Sequence, residues 1–232
     1  MNQIITKGIV LSRTDYGEAD RILTLLTPDQ GKLRLMARGV RRAKSKLAGG
    51  IELFSTSDIT FISGRGEIGT LVSARLIKYY DRIVKDIGRV QLGYELIKML
   101  NRATEDQPEA DYFELLRQAF EALDDEAASQ ALIRVWFEAR LLYLAGHSPN
   151  LHADVENDKL DPGGVYEFDF DAMAFSPRPD GRFAAAHIKA LRLLFSHHPP
   201  RTLAQVQGLE GLLPDLVPLV QTMLAAHIRP LA

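Results

Sequence analysis

The spacing of apolar residues changes once along this chain, near residue 80, and that change constrains the fold more than any other feature. Before it, Ile, Leu and Val recur at alternate positions in short runs at 3–12, 21–27, 32–37, 56–63 and 69–77, the period of a half-buried strand. Asp15–Tyr16–Gly17, Pro28–Asp29–Gln30–Gly31 and Gly64–Arg65–Gly66 lie between these runs and carry turn chemistry. Five short strands in so short a stretch predict a small closed barrel. The five-stranded member of that group is the OB-fold, which often binds oligonucleotides.

After residue 80 the period becomes helical. Ile83, Ile87, Val90, Tyr94, Ile97 and Met99–Leu100 mark a first helix, broken at Gln107–Pro108. Tyr112, Leu116, Phe120 and Leu123 mark a second, and Leu132, Trp136, Ala139, Leu142 and Tyr143 a third that ends at Gly146. Residues 148–179 lose the period and gather proline and glycine; within them 165–170 and 173–175 alternate well enough for a hairpin built on Tyr166, Phe168, Phe170 and Phe175. Ile188, Leu191, Leu194 and Phe195 resume a helix that His198–Pro199–Pro200 stops, and a last helix runs through Leu219, Val220, Met223 and His227. The expectation is an α+β chain. A five-stranded OB-fold barrel occupies 1–80, and a mainly helical domain occupies 81–232, with a small zinc-free β-hairpin insertion at about 148–179.

The chain has no cysteine, which excludes disulfides, thiolate zinc sites and cysteine nucleophiles and fits a reducing cytoplasm. No segment approaches the unbroken apolar length of a membrane helix, and the opening MNQIITKGIV lacks a signal peptide's basic start and long apolar core. The net charge of -2 conceals an asymmetry: residues 1–80 hold 13 Lys/Arg against 7 Asp/Glu, and the remainder 15 against 23. That is a basic module on an acidic body.

The basic charge concentrates in Lys32, Arg34, Arg38, Arg41, Arg42, Lys44 and Lys46, with no acid among them. Cations on a barrel strand and the loop after it suit phosphate: arginine forks onto its oxygens, and lysine supplies a mobile point charge. Neutralised phosphates release counterions, so such binding falls steeply with salt. A charge run is more often a solvated surface loop; the position after a barrel strand favours binding here. Tyr16 and Phe54 are the nearby aromatics. Both read as core or turn-packing residues rather than base platforms, which makes backbone-dominated, sequence-independent binding the expectation.

Other constellations carry less. Gly64–Arg65–Gly66 lacks the third glycine of a dinucleotide loop, and no Gly-Lys-Ser/Thr phosphate loop occurs. Asp154, Glu156, Asp158 and Asp161 suggest a cation loop or a metal-dependent nuclease, but Lys159 stands where a calcium loop needs glycine. His147, His152, His197 and His198 have no trusted metal spacing. Trp136 reads as core, and Tyr79–Tyr80 as packing between barrel and first helix. Arg134 and Arg140 share a helix and could hold an acidic peptide, though salt-bridged surface residues are the commoner case. No catalytic residue, metal or cofactor is expected. The rival readings are an RNA-binding OB protein and a non-catalytic protein adaptor.

Three blocks of sequence stand out. Lys7–Gly8–Ile9–Val10–Leu11, Arg13 and Asp15–Tyr16–Gly17–Glu18–Ala19–Asp20 form the first. Thr27–Pro28–Asp29–Gln30–Gly31–Lys32 with Ala37–Arg38–Gly39–Val40–Arg41–Arg42–Ala43–Lys44–Ser45 form the second. Phe137–Glu138–Ala139–Arg140–Leu141–Leu142, then Gly146, Pro149 and Leu151, form the third. Together these blocks resemble the RecO family, and the resemblance implies an N-terminal OB-fold, a helical C-terminal domain and no catalytic site. It further implies binding to single- and double-stranded DNA, annealing of complementary strands, and action with RecR to load RecA onto DNA covered by single-strand-binding protein, whose acidic C-terminal tail is recognised. Many members of the family carry a four-cysteine zinc module; here the corresponding stretch reads Asp154–Val155–Glu156–Asn157 and later Glu167–Phe168–Asp169–Phe170, and a short hairpin is expected instead.

Overall fold

The computed structural model describes residues 3–64, 66–104 and 110–228. Arg65 of the glycine turn and the helix break at Gln107–Pro108 lie outside the described residues. The chain forms two compact units, residues 1–125 and 126–232.

The first unit opens with β1 (Gln3–Tyr16), β2 (Asp20–Thr27), β3 (Gly31–Ala37), β4 (Ser55–Ile62) and β5 (Ile68–Tyr79). They close into a barrel of order β1-β2-β3-β5-β4, with β1 returning to β4. Every junction is antiparallel except β3 with β5. This is the expected OB-fold. β1 serves two neighbours: its first half pairs β4 and its second half pairs β2, with a bulge at Leu11 turning the corner. Val10, Leu23, Leu25, Leu35, Ile59, Phe61 and Leu71 fill the interior. β1 runs on through Asp15 and Tyr16, which the sequence had suggested as turn; the turn itself is Gly17–Ala19.

Two helices complete this unit, α1 (Ile87–Ala103) and α2 (Ala110–Asp125). Ile83 belongs to a separate 3-10 turn, and Asp86 caps α1 by accepting from the Arg89 amide at 2.8 Å. The buried stripe of α1 is therefore Leu92, Leu96, Ile97 and Leu100, whereas Ile87 faces out at 74% exposure. On α2 the four predicted residues are all buried. Phe54 adopts a left-handed backbone (φ 56°) and sits edge-on to Tyr94 of α1 and Phe120 of α2 at 5.3 and 5.5 Å. Tyr80 is buried and meets Phe120 of α2 at 5.5 Å, while Tyr79 remains partly exposed.

The second unit begins with α3 (Gln130–Leu144), capped by Ser129. Trp136 is buried and its indole N–H donates to the His198 carbonyl at 2.9 Å, so this core aromatic satisfies its one polar atom. The expected hairpin is present as β7 (Val165–Asp169) and β8 (Ala174–Pro177), within a larger sheet that adds β6 (Asn150–Asp154) and β9 (Phe183–Ala184) in the order β6-β8-β7-β9. Phe175 lies at its centre, edge-on to Phe168 and Phe183 at 5.1 and 5.8 Å. Phe170 is partly exposed but packs on Phe168. Then follow α4 (Ala185–Leu194), α5 (Pro200–Leu203) and α6 (Leu209–His227). α6 is long and apolar enough to cross a membrane by length and composition, contrary to the sequence reading. It holds Pro214 and Pro218, packs on α3 and α4, and buries one face through Leu213, Leu216, Leu219, Val220 and Met223.

Candidate nucleic-acid interface

The cationic stretch leaves the barrel at the end of β3. Two apolar residues pin it: Val40 belongs to the barrel core, and Leu47 packs against that core from the other end of the loop. Between these anchors the backbone folds into successive turns, closed by Arg42 N–H to the Gly39 carbonyl at 3.1 Å and Ser45 N–H to the Arg42 carbonyl at 3.0 Å. Arg38, Arg41, Arg42, Lys44 and Lys46 are consequently all exposed. Gly39 takes a positive φ of 63°, a conformation with little penalty only for glycine.

Two carboxylates from the β1–β2 region hold this loop in place. Asp20 accepts the Gly39 amide at 2.7 Å. Asp15 accepts from the Arg21 side chain at 2.7 Å and lies 3.5 Å from the Arg41 guanidinium. The Arg41 amide also donates to the Ala19 carbonyl at 3.0 Å. The Arg21 hydrogen bond, reinforced by the Arg41 charge, holds the Asp15 carboxyl below its usual range. Acids thus accompany the loop in space, although none stands in its sequence. Among the described residues Arg38, Arg42, Lys44 and Lys46 enter no ion pair or side-chain hydrogen bond, so four cations face solvent with charge available to a ligand.

The two strand cations differ. Lys32 donates to the carbonyls of Asn101 and Thr104 at 3.1 and 2.6 Å, where the C-terminus of α1 leaves acceptors unmatched. Arg34 is exposed and reaches Glu67 at 3.7 Å. Tyr16 is not packed as expected: it is 56% exposed at the end of β1.

The other candidates fall elsewhere. Arg140 is buried, donates to the Phe195 carbonyl at 3.1 Å, contacts His197 at 3.2 Å and lies 4.4 Å over the Tyr143 ring. Arg134 lies one turn before Glu138, 3.7 Å away. The acidic loop is a turn organised by Asp154, whose carboxylate accepts the amides of Glu156 and Asp158 at 2.9 Å each. Among the described residues no group of three His, Asp or Glu is arranged to hold a metal ion. His147 stacks on His227 at 4.6 Å, and neither ring sits as part of such a group.

A closed OB barrel with an anchored cationic loop beside it, continued by helices, defines an oligonucleotide/oligosaccharide-binding-fold protein of the basic-loop kind. Comparison with known families narrows this. The model for the recombination protein O N-terminal domain matches residues 1–80, and that for its C-terminal domain matches residues 85–228. The chain belongs to the recombination protein O family. It is 34% identical over 146 residues to a DNA repair protein RecO of Halalkalibacterium halodurans, covering 62% of this chain and 57% of the relative. A protein of the same description from Dehalococcoides mccartyi is 33% identical over 63% of this chain and 57% of its own length. One from Anaeromyxobacter sp. (strain K) is 35% identical over 66% and 61%. The chain therefore spans less than two thirds of the length of the relatives it matches.

Proposed function

We propose that this protein binds DNA through the cationic loop of its barrel and brings complementary strands together, acting in DNA repair and recombination as a mediator without a catalytic site. The observation that carries this reading is the loop itself: Arg38, Arg41, Arg42, Lys44 and Lys46 are held outward on a backbone pinned by Val40, Leu47, Asp15 and Asp20. A pre-ordered set of cations meets phosphate without first losing loop entropy. It can also neutralise two strands together, which removes the repulsion opposing their pairing. Annealing by this route uses no nucleotide and no metal. The description of the relatives as DNA repair proteins supports the same setting.

Membership of the family extends the proposal. The protein acts with RecR to load RecA onto DNA covered by single-strand-binding protein, and its helical region takes that protein's acidic tail. Arg134 and Arg140 are the proposed tail contacts. In their favour, Arg140 lies against the ring of Tyr143, which is 42% exposed, and a cation beside an aromatic surface suits a peptide of acids ending in an aromatic residue.

Fluorescence anisotropy with a single-stranded oligonucleotide across a salt series tests the core of the proposal. Four neutralised phosphates, one for each loop cation outside an ion pair, correspond to a slope of log affinity against log salt of roughly -2.8. The variant with Arg38, Arg41, Arg42, Lys44 and Lys46 changed to Ala is expected to lose both affinity and slope. Equal binding by that variant would remove the loop from the interface and favour the adaptor reading, and a clear preference for RNA in competition would favour an RNA-binding protein.

A further inference from the structure

We infer that Tyr16 stacks on a nucleobase and thereby makes the barrel favour single-stranded over double-stranded DNA. The inference rests on the DNA-binding reading above and concerns which part of the ligand one side chain holds.

Strand register places Tyr16. β1 and β2 pair so that Thr14 lies opposite Ile22 and Tyr16 opposite Asp20. β2 and β3 pair so that Ile22 lies opposite Met36 and Thr24 opposite Arg34. Side chains alternate across a strand, and the intervening residues Leu23, Leu35 and Ala37 are barrel core. Tyr16, Thr14, Ile22, Met36 and Arg34 therefore share the outer face of β1-β2-β3. The face is half-apolar in the middle, carries a guanidinium on β3 and ends in an aromatic ring on β1.

Tyr16 has no structural task that accounts for it. It is 56% exposed, and among the described residues it makes no ring contact and no side-chain hydrogen bond. Phe54, the other aromatic near the loop, is 2% exposed and occupied with Tyr94 and Phe120. Tyr16 is also held in register with the cations. The turn after it begins at Gly17 (φ 56°), and Arg41 donates to the Gly17 carbonyl at 3.4 Å and pairs with Asp15, the residue before Tyr16. The end of β1 that carries the ring is thus tied to the loop that carries the phosphate donors.

Chemistry then separates the two kinds of DNA. Single strands and duplexes both present phosphates, so the loop cations alone discriminate poorly between them. A base in a duplex has both faces covered by its neighbours and must be unstacked before a side chain can reach it. A base in a single strand offers a free face to a tyrosine, whatever its identity.

The test compares wild type, Tyr16→Ala and Tyr16→Phe as full chains on three probes: an oligothymidylate, an abasic oligonucleotide of equal length and a blunt duplex. Tyr16→Ala is expected to weaken oligothymidylate binding about ten-fold, to leave the abasic and duplex affinities and the salt slope unchanged, and Tyr16→Phe to behave as wild type. Unaltered oligothymidylate binding by Tyr16→Ala, or an equal loss on all three probes, overturns the stacking role while leaving the cationic loop in place. Failure of wild type to bind any of the probes overturns the DNA-binding reading itself.

Discussion

Asp15 and Asp20 sit beside the proposed interface and Lys32 at the opposite end of β3, and each should act on the protein differently. Asp20→Ala removes the acceptor for the Gly39 amide but no cation, so DNA affinity should fall while the salt slope holds, since the slope counts phosphates neutralised. Lys32→Ala should do the reverse of a loop substitution. It should lower stability by about 1 kcal/mol through loss of the α1 carbonyl contacts and change the salt slope little; urea unfolding and the anisotropy series read the two effects. The Asp15 clip also has a defined pH window. Its carboxyl titrates lower in the folded chain, so its contribution is complete above the ordinary carboxylate range and is lost as pH falls through the depressed value. DNA binding that depends on this clip should be level from about pH 8 to about pH 5; a break near neutrality would point to a histidine instead. The cations themselves were legible as a run of sequence. Their acidic anchors were not, because Asp15 and Asp20 reach the loop only through the β1–β2 turn.

At the scale of elements, the helical period located the long helices and the C-terminal half of the first one's inner face, Ile97, Met99 and Leu100, but not its N-terminal half. Asp86 offers the first amides of α1 a side-chain acceptor, and Ile83 falls before it into a separate turn. The hairpin was visible because β7 and β8 are neighbours in sequence with alternating aromatics. β6 and β9 were not: β6 contributes one buried side chain, Leu151, and pairs in parallel with β8 across a long separation. Trp136 gives this unit its sharpest test. Replacement by Ala removes a large buried ring and the His198 bond and should cost about 3–5 kcal/mol. Replacement by Phe keeps most of the packing and should cost about 1–2 kcal/mol, both read from urea midpoints by circular dichroism.

For the molecule as a whole, the charge asymmetry matters more than the net charge of -2. The basic excess of residues 1–80 lies largely on one anchored loop, while the remainder is acidic and contributes little attraction for DNA. Strand pairing promoted by such a molecule is electrostatic, so the wild type should accelerate the annealing of two complementary oligonucleotides equally with and without a chelator and with no added nucleotide. The five-cation variant should not accelerate it. Dependence on magnesium or ATP would contradict a purely electrostatic mechanism.

Local composition determined much of this protein. Alternation of apolar residues wrote five strands, the 3.6-residue period wrote the long helices, the lack of cysteine excluded a thiolate zinc module, and a run of cations without an acid marked the loop. Each of these depends on neighbours a few residues apart. The tertiary structure alone decided what depends on residues brought together from afar. It closed β3 on β5 in parallel, engaged Lys32 with the end of α1 some seventy residues on, and tied the cationic loop to Asp15 and Asp20. It also left Tyr16 in solvent while burying Phe54. Exposure is set by which elements pack over a side chain, and no spacing within β1 encodes that.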